Sequence, residues 1–245
     1  MSVALVTGAS HGLGAEIAMA LAAAGWDVAV NYAHDNEGAA KTVAAIAANG
    51  GRAITAKFDV TDASAVIDGT ARVAERLGPA ELLVNNASGP QGAVPIMEQT
   101  WELHQRHLEF FVKAPLLLLQ ALLPDWRTRK CGRLINIGSE VTRVGSPRDA
   151  HYVAAKSAMV GLTRSWASEL GPEGITVNLV SPGWTPVERH AGTSQSEYDA
   201  HMGALPLRRM GRPLDVAGTV VFVASSAADY ITGQDLAVNG GRTYS

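Results

Sequence analysis

Short runs of Val, Ile, Leu and Ala alternate along the chain with longer segments in which apolar residues recur at helical spacing. Continuous apolar runs are typical of strands buried on both faces, and their alternation with helices is typical of repeated βαβ units. The pattern predicts an α/β fold with a doubly wound parallel sheet, because right-handed crossovers place helices on both faces of such a sheet. Seven strands are predicted, near residues 3–7, 27–32, 53–58, 81–85, 133–138, 175–180 and 235–239.

Two segments differ from this alternation. Residues 114–123 form the longest apolar run, which contains Pro115 and Gln120. It is shorter than the about 20 residues that cross a bilayer, so it predicts a buried helix. Residues from about 183 to 205 show no clear element, and loops of that length are commonly functional. We expect this segment to be a substrate-binding lid, with a mobile surface loop as the alternative.

Composition narrows the class of protein. With 245 residues, of which 47% are hydrophobic, one core is sufficient, so we expect a single domain over residues 1–245. The net charge of -3 comes without a basic block, which argues against a nucleic-acid partner. A single cysteine, Cys131, precludes an intrachain disulfide and favours a cytoplasmic location. The strand-like residues 2–6 begin the chain without a leader pattern, so neither a signal peptide nor a membrane segment is predicted.

A glycine-rich loop lies between the first predicted strand and the first helix. Its spacing, Gly-x-x-x-Gly-x-Gly, differs from the standard Gly-x-Gly-x-x-Gly, and a plain tight turn is the alternative. Glycines let the backbone approach a pyrophosphate, and the helix N-terminus supplies amides and partial positive charge. Dinucleotide binding is therefore favoured. The candidate cofactor-binding residues here are Gly8, Ser10, His11, Gly12, Leu13 and Gly14.

The end of the second strand bears on the choice of cofactor. NAD enzymes place Asp or Glu there to bind the ribose hydroxyls, but this chain has Asn31. Without a carboxylate a 2′-phosphate is not repelled, and His11, His34 or Lys41 are available to bind it. The sequence favours NADP(H), while the lack of an Arg at this turn leaves NAD(H) possible.

Polar residues follow the third and fourth strands. Asp59 and Val60 come after one, and Asn86 and Ala87 after the other. Open α/β sheets collect their ligands at these carboxyl ends. The alternatives are local: Asp59 caps the next helix in competition with Asp62, and Asn86 binds backbone within a turn.

Candidate catalytic residues lie after the fifth strand. Tyr152 and Lys156, four apart on a predicted helix, share one face. A nearby ammonium lowers the pKa of a phenol from about 10 toward the range of a general acid. Ser139 supplies a hydroxyl that can hold a carbonyl oxygen beside that phenol. An ordinary amphipathic pair is the alternative for Tyr152 and Lys156.

The histidines give no metal pattern. His104 and His107 lack accompanying carboxylates or cysteines, so we interpret them as a solvated helix face and predict no metal site. His151 points about 100° away from Tyr152 and is interpreted as a surface group or a support of the site.

Taken together, these motifs resemble the classical short-chain dehydrogenase/reductases, and most closely the 3-oxoacyl-[acyl-carrier-protein] reductase-like members. The order and spacing of the motifs carry the resemblance, which covers essentially the whole chain. It also includes Ser181-Pro182-Gly183, Gly211-Arg212-Pro213 and the closing Gly240-Gly241.

The resemblance implies a single Rossmann domain with seven parallel strands, usually a homotetramer, that moves hydride between nicotinamide and a carbonyl or alcohol. It implies Tyr152 as the acid/base, Ser139 as the residue that orients and polarises the carbonyl, and Lys156 as the ribose ligand that lowers the Tyr152 pKa. Tyr152 and Lys156 thus count among the cofactor contacts as well. Further contacts implied for the cofactor are Asp59, Val60, Asn86, Ala87, Pro182, Gly183 and Thr185.

Phe111 departs from the family pattern. It stands where the family usually has an Asn that holds a water near the catalytic lysine. We expect an altered proton relay, which leaves a catalytically weak dinucleotide-binding scaffold or sensor as one alternative. An NAD-dependent alcohol dehydrogenase is another. The leading prediction is an NADP(H)-dependent reductase of a ketone or 3-oxoacyl carbonyl, with a small-molecule or acyl-carrier-linked substrate.

Overall fold

The computed structural model describes residues 2–89 and 92–244. Its seven strands form one sheet in the order β3-β2-β1-β4-β5-β6-β7, and every neighbouring pair is parallel. The strands are β1 Val3–Val6, β2 Asp27–Tyr32, β3 Ala53–Lys57, β4 Ala80–Asn85, β5 Gly132–Ile137, β6 Ile175–Pro182 and β7 Asp235–Val238. All seven predicted strands are confirmed, with the largest difference at β6, which continues to Pro182.

Helices cover both faces of the sheet, which confirms the doubly wound arrangement. On one face Ile17 and Val220 belong to the same core, and on the other face Val66 and Leu118 do. The α-helices of the described residues are α1 Gly12–Ala23, α2 Asn36–Ala48, α3 Ala63–Leu77, α4 Trp101–Leu108, α5 Ala114–Arg129, α6 Val141–Val144, α7 Ala150–Leu170, α8 Gln195–Ala204 and α9 Pro213–Ala224.

The apolar run at residues 114–123 is a core helix, as predicted. It opens α5, which buries Leu118, Leu119 and Leu122. A π-helical turn, Glu109–Lys113, joins α4 to α5. The continuous helical run Trp101–Arg129 is long and apolar enough to cross a membrane by length and composition, a test that the core helix of a soluble protein also passes.

The lid segment contains regular structure that the hydrophobic pattern did not reveal. A short 3-10 turn, Glu188–His190, precedes α8. At the start of α8 the Glu197 carboxylate accepts from the Ser194 amide at 3.0 Å, and the Ser194 hydroxyl caps the Glu197 amide. The expectation of no clear element at 183–205 was therefore wrong. The capping box Ser-x-x-Glu was its sequence signal, but α8 has little amphipathic character.

Candidate active site

A cavity of about 1040 Å³ opens at the carboxyl ends of the strands. It lies where the chain order of the sheet reverses, between β1 and β4, the position at which doubly wound sheets bind ligands. Its walls come from the loops that follow β1 to β6 and from the segment after β7. The topology therefore gathers residues that are far apart in the sequence.

The glycine loop is shaped to receive an anion. Gly8 and Gly12 adopt left-handed backbone angles, with φ values of 61° and 57°. A Cβ on Gly14 would collide with the Gly8 carbonyl oxygen. The His11 ring nitrogen lies 2.9 Å from Ser10 Oγ, and the His11 side chain forms no cap hydrogen bond with the first turn of α1, which lines the cavity. These features fit a dinucleotide pyrophosphate.

The Asn31 side chain fixes this loop by a hydrogen bond with the Gly8 backbone. Its Nδ2 donates to Ala56 O at 3.2 Å and to Phe58 O at 3.0 Å, while its Oδ1 accepts from the Gly8 amide at 3.3 Å. The side chain is 1% exposed. Asn31 reaches the cavity wall, but its amide is engaged with backbone.

Asn86 ties the loop after β4 to the loop after β1. Its Nδ2 donates to Thr7 O at 2.9 Å and to Gly8 O at 3.0 Å. In return Thr7 Oγ1 accepts from the amides of Asn86 and Ala87 at 2.9 and 3.0 Å. Sequence analysis did not single out Thr7, whose role depends on a partner nearly 80 residues away.

A carboxylate that the sequence analysis missed lines the cavity beyond β2. Asp35 caps α2 by accepting from the Gly38 amide at 2.9 Å, and this hydrogen bond lowers the pKa of Asp35. Its Oδ2 lies 3.2 Å from His11 Nδ1. At this turn the sequence analysis considered Asn31 and did not weigh Asp35, which lines the cavity four residues later. The only sequence feature that indicated Asp35 was the helix-cap pattern Asp-x-x-Gly.

Asp59 and Asp62 divide the roles that the sequence left open. Asp62 caps α3, accepting from the Ala65 amide at 2.9 Å. Asp59 accepts from Thr61 N at 2.8 Å and from Thr61 Oγ1 at 2.7 Å, and it lines the cavity with Val60. Asp59 is therefore fixed at the wall and does not cap the helix.

The catalytic candidates line the same cavity. Ser139 follows β5, and its Oγ accepts from the Val141 amide at 3.4 Å. Lys156 is 5% exposed, and its Nζ donates to Ile137 O at 2.6 Å. The same Nζ lies 5.8 Å from the centre of the Tyr152 ring. The helical spacing thus brings the ammonium close to the phenol.

Phe111 closes the space beneath Lys156. It belongs to the π-helical turn, is 1% exposed, and has its ring centre 3.9 Å from Lys156 Nζ. Its ring also meets that of Tyr152 edge-on at 5.6 Å between centres. The position that the family usually gives to an Asn holds a cation–π contact here.

The model of the family described as enoyl-(acyl carrier protein) reductase matches residues 8–243. The chain belongs to the short-chain dehydrogenase/reductase family. A similar relative is the 3-oxoacyl-[acyl-carrier-protein] reductase FabG of Staphylococcus aureus, 39% identical over 240 residues, which are 97% of this chain and 96% of FabG.

Solved structures of this family agree with the fold. A blue fluorescent protein from a metagenomic library, in complex with NADPH, has a TM-score of 0.89 and 35% identity, covering 99% of this chain and 98% of its own. The angucycline C-6 ketoreductase LanV with bound NADP has a TM-score of 0.90 and 34% identity, covering 98% and 95%. This short-chain dehydrogenase/reductase is thus an NAD(P)-dependent oxidoreductase acting on carbonyl or hydroxyl groups.

The structure brings every predicted site residue of this short-chain dehydrogenase/reductase to one cavity, while their individual roles stay predictions. They are Gly8, Ser10, His11, Gly12, Leu13, Gly14, Asn31, Asp59, Val60, Asn86, Ala87, Ser139, Tyr152, Lys156, Pro182, Gly183 and Thr185.

The histidines behind Tyr152 differ from expectation. His107 is 4% exposed and His151 1%, with 4.6 Å between their ring centres, because α4 packs against α7. The assignment of His107 to a solvated face was wrong. His151 is a buried neighbour of the site rather than a surface group, and its burial lowers its pKa. Within residues 2–89 and 92–244 there is no cluster of three potential metal ligands.

Two further features of the substrate side escaped the sequence analysis. Trp184 stacks on Tyr198 at 5.2 Å between ring centres and meets His201 edge-on at 5.0 Å. Glu140, directly after Ser139, is 4% exposed and pairs with Arg242 at 3.0 Å. Burial raises the pKa of Glu140, although Arg242 opposes the shift.

Proposed function

We propose that this protein is an NADP(H)-dependent reductase that converts a ketone or 3-oxoacyl carbonyl to an alcohol through Ser139, Tyr152 and Lys156. The observation that carries the proposal is that these three residues and the glycine loop line one cavity. The relatives support it, since FabG is by name a 3-oxoacyl-[acyl-carrier-protein] reductase and LanV a ketoreductase.

Each residue has a defined task in the reduction. When bound in the cavity, NADPH would supply a hydride to the carbonyl carbon. Tyr152 transfers its hydroxyl proton to the carbonyl oxygen, so the substrate gains one hydride and one proton, and a phenolate remains. The Ser139 hydroxyl donates a hydrogen bond to the same oxygen, where negative charge develops. The Lys156 ammonium favours the phenolate by its charge. In the oxidative direction Tyr152 accepts the proton.

The choice between the two nicotinamide cofactors has support on both sides. NADP(H) is favoured by the absence of an acidic residue at Asn31 and by the NADPH and NADP bound in two structural relatives. Asp35 supports the second candidate, an NAD-dependent alcohol dehydrogenase, because a carboxylate at the cavity wall can bind ribose hydroxyls and repels a 2′-phosphate. In this chain the His11 ring stands beside Asp35.

The Asp35 carboxylate offers a direct test of cofactor choice. Fluorescence titration with NADPH and NADH is expected to give the lower Kd for NADPH. Asp35→Asn should tighten NADPH binding about tenfold, since it removes a repulsion of roughly 1.4 kcal/mol between neighbouring anions, and it should not tighten NADH binding. Tighter binding of NADH by the unaltered protein would decide for the second candidate.

The reductase activity is tested by NADPH oxidation with β-ketoacyl thioesters, diketones and aldehydes. Tyr152→Phe should lower kcat by about a hundredfold or more, the usual contribution of a positioned general acid, with an unchanged Kd for NADPH. Full activity in this variant would contradict the role of Tyr152. Tight NADPH binding with no turnover on any substrate would instead support the scaffold alternative raised by Phe111.

We further propose that the enzyme acts in the cytoplasm as a homotetramer on a small-molecule or acyl-carrier-linked substrate. The single cysteine, Cys131, supports the location, since it is free in the structure. Size-exclusion chromatography with light scattering tests the assembly.

A further inference from the structure

Arg242 brings a positive charge into the cavity from the end of the chain. It follows β7 and lines the cavity together with Ser139, Tyr152 and Trp184. Among the described lining residues, Lys156 and Arg242 are the ones with an ammonium or guanidinium group. Lys156 lies close to Tyr152, at the proposed site of reaction. Arg242 is therefore the lining cation that can bind a part of the substrate away from the reacting carbonyl.

Two neighbouring side chains fix the position of Arg242. Its Nη1 donates to Glu140 Oε1 at 3.0 Å and lies 3.2 Å from His201 Nδ1 on α8. Because Nη1 is a donor, the neutral His201 ring accepts there. Glu140 is the residue after Ser139, which places the guanidinium beside the loop that holds the substrate oxygen.

Part of the guanidinium has no partner among the described residues. Its recorded hydrogen bonds all use Nη1, which leaves the donors of Nη2 and Nε available within the described structure. The side chain is 37% exposed, while that of its partner Glu140 is 5% exposed. The guanidinium is thus anchored by Glu140, and Arg242 lines the cavity with a partly exposed side chain.

We propose that Arg242 binds a carboxylate of the substrate, so that the enzyme prefers keto acids to ketones that carry no charge. The proposal rests on the reductase activity proposed above and names its substrate class. A guanidinium fork matches a carboxylate in geometry and charge. The Trp184 ring forms an apolar wall of the same cavity, against which the carbon chain between the two groups can pack.

Arg242 pairs with Glu140 through one of its nitrogens only. Burial raises the pKa of Glu140, and the charge of Arg242 opposes that shift. The titratable or charged groups around it are Arg242 and, behind Arg242, His201. A guanidinium can also serve two carboxylates with different N–H groups. Arg242 therefore retains N–H donors for a second carboxylate.

The test compares keto carboxylates with their methyl esters, which share the reacting ketone but lack the charge. The unaltered enzyme should show the higher kcat/KM for the acids. Arg242→Gln should raise KM for an acid about tenfold to a hundredfold, as expected for the loss of a hydrogen bond between charged groups, and should leave the value for the ester nearly unchanged. Arg242→Lys should recover part of the loss.

Two controls separate recognition from structure. Arg143→Gln removes another partly buried arginine, 23% exposed and paired with Asp235 at 3.1 Å, that does not line the cavity. This variant should leave the ratio of kcat/KM for the acid to kcat/KM for the ester unchanged. Calorimetry should show that the hydroxy acid product binds the NADP complex of the unaltered protein and binds the Arg242→Gln variant at least tenfold more weakly.

The possible results distinguish the two proposals. If no ketone is reduced, the proposed function fails, and calorimetry with the carboxylate still decides on Arg242. If ketones are reduced, and the ratio of kcat/KM for the acid to kcat/KM for the ester is the same in the unaltered enzyme and in Arg242→Gln, only the role of Arg242 is contradicted. An equal loss of kcat/KM for acid and ester in that variant would show that Arg242 stabilises the structure and does not recognise the carboxylate.

Discussion

The glycine loop, Thr7 to Gly14, and the lid segment, Gly183 to Leu205, line the same cavity but are held in different ways. The loop is fixed by amide and hydroxyl side chains that form hydrogen bonds with its backbone, such as Asn86, which donates at 2.9 and 3.0 Å. The lid is held by side chains that contact one another, such as Trp184 on Tyr198. Backbone fixed by several hydrogen bonds tolerates few changes, whereas ring contacts between side chains can rearrange.

A matched pair of glycine substitutions should expose the difference most clearly. Gly14→Ala places a methyl group against the Gly8 carbonyl and the Asn86 side chain, and should lower the free energy of unfolding by about 3 kcal/mol and weaken NADPH binding. Gly203→Ala, in α8, meets open space and should raise the stability of that helix by up to about 1 kcal/mol. Urea denaturation measures the stability of both variants. Similar losses in the free energy of unfolding in both variants would contradict this difference between the glycine loop and the lid segment.

The hydroxyl of Thr7 gives a finer test of the loop. Thr7→Val keeps the shape but leaves the Asn86 and Ala87 amides without their acceptor, so stability should fall by about 2 kcal/mol. Thr70→Val is the control. It removes a buried hydroxyl that donates only to helix carbonyls, as at 2.8 Å to Val66 O, and should change stability by less than about 1 kcal/mol. Equal losses in thermal denaturation would show that the accepting role of Thr7 is unimportant.

The lid segment should respond to pH through His201. Burial, and then the charge of Arg242, lower the pKa of His201. The neutral ring accepts from Arg242, so its contribution to docking of α8 is complete above the ordinary histidine pKa of about 6.5 and is lost as pH falls through the lower folded value. Hydrogen exchange in α8 should therefore accelerate at acidic pH, beyond the intrinsic pH effect, and this excess should vanish in His201→Phe. An unchanged excess in that variant would contradict this role of His201.

The strands and the glycine loop were predictable from sequence because their signals are local. An apolar run identifies a strand such as β1, and glycines at fixed spacing identify a turn that needs left-handed angles. Asp35, Thr7 and Arg242 were not predictable as site residues, since each depends on a partner that only the fold brings near. The pair of Glu140 and Arg242 spans 102 positions in the sequence. His107 looked solvated because nothing in its own helix reveals the packing of α4 on α7.

Phe111 also constrains the order of events in a catalytic cycle. Its ring packs against the Lys156 ammonium, and Tyr152 lines the cavity, which opens to solvent. In the proposed reduction, the proton that restores Tyr152 would enter through the cavity by which the alcohol leaves. Reprotonation of Tyr152 would then follow release of the product.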